Sequence, residues 1–182
     1  IKHPDNIALE FQNKKTTFSE FISMIEATAR SLISIGIKKG DFVSIVAPNT
    51  PQALISVYAI NRIGAIANMI HPLLSANEIK KFVEHVDSKA IITFDMLYNK
   101  LAEIEWETTR NPVIVLARIA DALPFYIKPL YMATNKVSVN INKAHDVICW
   151  NDFLKKGRKE TLVDDDGKGD DEFNEEVLHM RQ

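Results

Sequence analysis

Cysteine is nearly absent from this sequence. The single Cys149 excludes an internal disulfide framework and fits a reducing, cytoplasmic setting. Glycine is scarce as well, with six in 182 residues, and neither G-x-G-x-x-G nor G-x-x-x-x-G-K-[ST] occurs. Both glycine-rich devices for cradling a phosphate on backbone amides are therefore missing. No apolar run approaches the roughly 18 residues of a membrane span. The opening residues, Ile1-Lys2-His3-Pro4-Asp5, carry neither an initiator Met nor a signal-peptide pattern and read as a trimmed start. There is no basic stripe interleaved with aromatics, so the surface reads as mixed and solvated rather than as a nucleic-acid face.

Charge is unevenly spread. The net charge is −2, but residues 164–176, DDDGKGDDEFNEE, hold eight acids and one lysine. This stretch reads as a flexible, solvated linker or tail over 164–182, following a domain over 1–163. Asp164, Asp166, Gly169 and Glu175 fall at positions 1, 3, 6 and 12 of the calcium-loop template. Position 5 is Lys168 and position 8 is Asp171. A cation stands where an oxygen ligand belongs, and a carboxylate stands where the loop carries an apolar residue. The run is therefore not read as a calcium site.

What the chain does contain is an alternation of helical and strand-length patterns. IALEFQNKKTTF reads as a hairpin around Asn13-Lys14-Lys15. Thr17 and Glu20 form a capping box ahead of Phe18, Phe21, Ile22, Ile25, Ala29 and Leu32, which share one helical face over about 18–35. Gly36 supplies a left-handed stop. FVSIVA (42–47) is a strand-length apolar run suited to a sheet covered on both faces. Pro48-Asn49-Thr50-Pro51 then leads into a helix at 51–63 whose wide apolar arc predicts deep burial. AIANMI (65–70) is the next strand. Ser75 and Glu78 form a second capping box before a helix at 76–86 carrying Ile79, Phe82, Val83 and Val86, and AIITF (90–94) and PVIVLA (112–117) follow as strands. Residues from 118 onward read as an irregular connection, with HDVICWNDFLKKG as one more short helix capped by Asp146. Strands alternating with helices in this way predict an α/β fold: βαβ units forming a mostly parallel sheet flanked by helices.

Chemistry-bearing residues are few. The turn at 48–51 lacks glycine and lysine, and its two prolines remove two donors, so it reads as a rigid strand-to-helix turn rather than a phosphate loop. None of the five histidines pairs with another His or with Cys at metal-ligand spacing. His145 and Cys149 are four apart, but Cys149 lies between Ile148 and Trp150 and reads as a small buried hydrophobe. His71 directly follows a strand, at the carboxyl end where open α/β sheets bind ligands. It is the one substrate-pocket candidate, against the plainer reading of a histidine that starts a loop before Pro72. No catalytic, cofactor-binding or metal-ligating residue is assigned.

The run from Gly40 to Asp95 resembles the amino-terminal part of AMP-forming acyl-CoA synthetases, in the adenylate-forming superfamily. The features are G-D-x-V-x-I-x-x-P-N in strand and turn, G-A-I opening the next strand, then E-I and S-K-A-I-I-T. PDNIALEFQNKKTTFSEF suits the family's opening hairpin and first helix, so the resemblance covers about residues 4–95. It implies that the sheet is part of a larger amino-terminal domain, in a fragment of an enzyme that activates a carboxylic acid with ATP and Mg²⁺ through an acyl-adenylate and passes the acyl group to CoA. It also implies that the 48–51 turn is scaffold. The family's Ser/Thr/Gly-rich phosphate loop and its catalytic Lys have no counterpart in this sequence, so the fragment alone is expected to be inactive, with the rest of the same polypeptide as its partner. CoA in some members passes near segments that correspond to His71–Leu74 and Met96–Lys100, where Lys100 is the one cation. Exposed apolar surface on such a fragment implies self-association. The competing reading is a stand-alone α/β binding or interaction module without catalysis.

Overall fold

The computed structural model describes residues 3–108, 111–124, 126–134 and 146–162. The chain opens with a hairpin of β1 (Ile7–Phe11) and β2 (Lys14–Thr17). Its two turn residues are Gln12 and Asn13, both at positive φ (49° and 62°), the conformation that matches the twist of the flanking strands. The turn thus falls one residue earlier than expected, and Lys14 and Lys15 belong to β2.

Helix α1 (Phe18–Ser34) begins at the expected capping box, with both halves of the Thr17–Glu20 exchange formed. Phe21, Ile25, Ala29 and Leu32 are buried along its inner face. Its end is a Schellman closure: the Gly36 amide donates to Ile33 O at 2.9 Å and the Ile37 amide to Leu32 O at 3.1 Å, with Gly36 at φ 91°.

Then come β3 (Phe42–Val46), α2 (Pro51–Arg62), β4 (Ile66–Ile70), α3 (Ala76–His85), β5 (Ala90–Phe94), α4 (Asp95–Ala102) and β6 (Val113–Ala117). Together with β7 (Val147–Cys149), these strands pair in parallel in the order β4-β3-β5-β6-β7. Alternate residues of each strand point to opposite faces. Val43 and Ile45 of β3, Ile92 and Phe94 of β5 and Val115 of β6 meet α1, α2 and α7 (Trp150–Lys156) on one side. Val46 of β3 and Ile91 of β5 meet Ile79 and Val83 of α3 and Leu101 of α4 on the other. The result is a three-layer α/β sandwich.

Three expectations are corrected. Residues 146–149 are not the start of a helix: β7 (Val147–Cys149) extends the sheet beside β6. The helix begins only at Trp150, with no side-chain cap. The stretch after 118 is partly helical, with α5 (Ile119–Ala122) and α6 (Lys128–Thr134). α2 is less buried than its apolar arc suggested. Leu54 is exposed, Val57 and Tyr58 are half-buried, and the buried positions include Gln52 and Ser56. The physical reason is its neighbour: β4 ends the sheet among the described residues, so α2 overhangs an uncovered edge.

Candidate functional site

The strand order sets where a ligand would sit. The chain moves from β3 outward to β4, then back across β3 to β5, so the topological switch lies between the carboxyl ends of β3 and β5. At this point the Thr93 hydroxyl donates to Val46 O at 3.0 Å, tying the two strand ends together. The turn that follows β3 is built as a helix start. Thr50 Oγ1 accepts from the Ala53 amide at 3.3 Å and donates to Pro48 O at 3.3 Å. Pro51 stands at the first position of α2, where a missing N–H costs nothing. The Thr50 hydroxyl is thereby engaged with its own backbone.

Beside this turn, Gln52 reaches across to the end of β6, its Nε2 donating to Arg118 O at 3.2 Å. That bond fixes the amide's orientation and leaves Oε1 buried without a partner among the described residues. Asp95, on the other side of the switch, is half-buried and its carboxyl is raised from the usual aspartate range. Burial is the main cause. The Met96 amide, donating to Oδ1 at 2.9 Å, and the Arg118 charge oppose the shift, and Asp121 adds to it. An acid raised in the folded state favours folding fully below its unfolded pKa, and loses that contribution as pH rises through the folded value. Asp95→Asn is therefore expected to be more stable than the parent chain at pH 7, with the advantage shrinking below about pH 4. Denaturant melts at the two pH values check it.

The hairpin, one face of α1, the first turns of α2 and α7, and α5 line a cleft of about 520 Å³. Leu9, Phe11, Met24, Ile55, Trp150 and Leu154 form its apolar walls, with Lys14, Glu20 and Asp121 at polar positions around them. Asp121 is held by Lys128 Nζ at 3.2 Å. Thr28 and Gln52 also line the cleft, and the Thr28 hydroxyl, like Gln52 Oε1, is buried without a partner among the described residues.

His71 lies elsewhere. It follows β4 as expected, is exposed, and is not among the residues lining the cleft. Its Nδ1 accepts the Leu73 amide at 3.2 Å, so the ring caps the turn that it begins. The structure does bring the two segments 71–74 and 96–100 together. Lys100 Nζ donates to Pro72 O at 3.1 Å and to Leu74 O at 2.7 Å, which clamps the loop after β4 onto α4. Sequence reasoning named Lys100 only as a cation. Its role as a clamp depends on two strands meeting β3 from opposite sides, which no local pattern displays.

Cys149 is half-buried in β7, less enclosed than expected, because β7 is the other end strand of the sheet among the described residues. His145 and the positions Asp164, Asp166, Gly169 and Glu175 lie outside the described residues. Among the described residues no group of three His, Cys, Asp or Glu side chains is placed to hold a metal, and no helix is long and apolar enough to cross a membrane.

The profile described as AMP-binding enzyme matches residues 1–151, and the chain belongs to that family. A long-chain-fatty-acid–CoA ligase of Bacillus subtilis (strain 168) is 29% identical over 164 residues, covering 89% of this chain and 29% of the relative. Acetyl-coenzyme A synthetase 2 of Saccharomyces cerevisiae is 39% identical over 99 residues, covering 51% of this chain and 14% of the relative. Among solved structures, the anthranilate CoA ligase AuaEII in complex with anthranoyl-AMP superimposes with a TM-score of 0.69 at 15% identity, over 90% of this chain and 27% of that one. The coronafacic acid ligase from Pectobacterium brasiliense gives 0.61 at 21% identity, over 91% of this chain and 30% of that one. The structural likenesses show the fold. The chain thus spans less than a third of the length of these relatives.

Proposed function

We propose that this chain supplies scaffold, rather than reacting groups, to an AMP-forming acid–CoA ligase. The observation that carries the reading is the family match across residues 1–151. The ligase and synthetase names of the relatives support it. In the whole protein, a carboxylate would attack the α-phosphorus of ATP, giving an acyl-adenylate and pyrophosphate. The CoA thiol would then attack the acyl carbon and release AMP. Phosphoryl chemistry of this kind depends on positioned cations and donors around the phosphates.

Two of the polar groups nearest the strand ends are engaged otherwise. The Thr50 hydroxyl caps α2, the Lys100 ammonium rests on two carbonyls, and no metal-holding cluster of three is present among the described residues. The reading therefore assigns Mg²⁺–ATP to other parts of the polypeptide. It leaves His71 and the clamped 71–74 loop as the candidate contact to the acid or CoA. The acidic stretch beyond 163 is taken as a linker, and a reducing, cytoplasmic setting suits the lone cysteine.

The test is carboxylate-dependent ATP–pyrophosphate exchange with a panel of short-chain, long-chain and aromatic acids. Residues 1–182 alone are expected to show no exchange above a protein-free control. The whole gene product is expected to exchange and to form acyl-CoA. Reproducible exchange by residues 1–182 would place reacting groups within this chain. A whole product that forms no adenylate with any acid would return the account to a non-catalytic binding module, which the matched ligases do not favour.

A further inference from the structure

β4 ends one side of the sheet among the described residues, and it lacks the charge, proline and bulge that commonly keep an edge strand from pairing. Edges are ordinarily blunted by charge, proline or a bulge. Ile66-Ala67-Asn68-Met69-Ile70 has no charged residue and no proline, and its register with β3 runs unbroken from Phe42↔Ile66 to Val46↔Ile70. One side chain is exposed on each face, Ile66 at 44% and Met69 at 60%, while Ile70 is buried in the core.

The helices continue this apolar strip. Phe82 of α3 is 51% exposed and lies level with the middle of the strand, where Asn68 Nδ2 donates to its carbonyl at 3.4 Å. Leu54 of α2 is 43% exposed, and with Val57, Leu9 and Met69 it lines a groove of about 310 Å³. Together these side chains expose on the order of 400 Å² of apolar surface.

We propose that β4 pairs with β4 of a second copy, antiparallel and with Asn68 at the two-fold axis, joining the two sheets into one. An open edge presents a row of N–H and C=O groups, so its occupant must itself be a strand. The short strand is self-complementary. With Asn68 opposite its own symmetry mate, Ile66 meets the partner's Ile70, and the small Ala67 meets the long side chain of the partner's Met69. No charges are opposed. A two-fold of this kind keeps α3 on the same face in both copies and brings the two Phe82 side chains toward the axis. The apolar patch is about half of the roughly 800 Å² that each partner of a standard interface buries. Backbone pairing and the flanks of α2 and α3 supply the remainder. β7, with three residues, offers a much shorter edge.

The experiment is light scattering after size exclusion, with the 182-residue chain at about 100 micromolar, a concentration that reveals even weak association. A dimer is expected. Ile66→Lys/Met69→Lys should weaken it at least 100-fold with an unchanged far-ultraviolet spectrum, while Leu130→Lys on α6 should leave it intact. Register is read by oxidation in a Cys149→Ser background. Ala67→Cys/Met69→Cys should cross-link two chains, and neither single cysteine variant should. Residues two apart on one strand stand too far apart to bridge within a chain. A parent chain that runs as a monomer, a dimer that survives both lysines, or a dimer that the paired cysteines fail to cross-link would overturn the proposal.

Discussion

Gly157→Ala is expected to destabilise the chain by about 3 kcal/mol or more, beyond the usual 1–3 kcal/mol for overpacking a core. Gly157 opens the short 3₁₀ turn (Gly157–Lys159) after α7 and lies directly on α1. A Cβ at this position would stand 2.3 Å from Ser31 Oγ, 2.5 Å from Ser31 N and 2.7 Å from Ser31 Cα. The hydroxyl can rotate, but the helix backbone cannot withdraw without disturbing the packing of α1 on its other neighbours, α2 among them. The side chain at 157 therefore matters less than the close approach of two backbones. Gly157 has an ordinary helical φ of −66°, so strain in the glycine itself plays no part. For a chain of this size the loss corresponds to a fall in Tm of roughly 6–12 °C. Ser31→Ala/Gly157→Ala is expected to recover little, since the clash with the Ser31 backbone persists. Full rescue by removing the hydroxyl would show that the two backbones do not meet.

The second large effect lies inside β3. Ser44 interrupts an otherwise apolar strand, and both it and Ser88 are fully buried. Their hydroxyls are 2.6 Å apart, and Asn68 Nδ2 donates to Ser44 Oγ at 3.0 Å. The network fastens β4 and the turn after α3 to the centre of the sheet. Ser44→Ala leaves the Ser88 hydroxyl and one Asn68 proton without this partner in a buried setting, at a cost of about 2 kcal/mol. Ser44→Ala/Ser88→Ala removes both hydroxyls and is expected to cost clearly less than the two single changes added together, because the orphaned group is gone. Chemical denaturation of the four chains measures the coupling. Strict additivity would show that the hydroxyls do not interact.

The particular residues explain how much of this was legible in advance. Both capping boxes, the Thr50–Pro51 helix start and the Gly36 stop act through spacings of three or four residues. They are written locally and appear in the structure as expected. The parallel sheet followed from unalternating apolar runs separated by helix-length segments. β7 was missed because three residues cannot display a period, and the helical pattern of Trp150, Phe153 and Leu154 begins immediately after it. α5 and α6 span four and seven residues, too short to stand out among prolines. Phe82 fitted the helical face by spacing, yet it is exposed, since only the sheet order shows that β4 has no further neighbour beside α3. The cleft, the Gln52 reach to Arg118 and the Lys100 clamp all join distant segments, and a linear pattern does not contain them. His71 was reached from strand position alone. It does follow β4, but its bond to the Leu73 amide depends on the loop's closure.

The central claim is that the 48–51 turn is a structural corner and not a phosphate seat. The most direct measurement is a titration of the 182-residue chain with Mg²⁺–ATP, followed by amide chemical shifts at Asn49, Thr50, Gln52 and Ala53. With Thr50 committed to its cap and two donors lost to prolines, no saturable shift is expected at millimolar nucleotide. Saturable shifts confined to these amides, abolished by Thr50→Val and retained at physiological salt, would contradict the account.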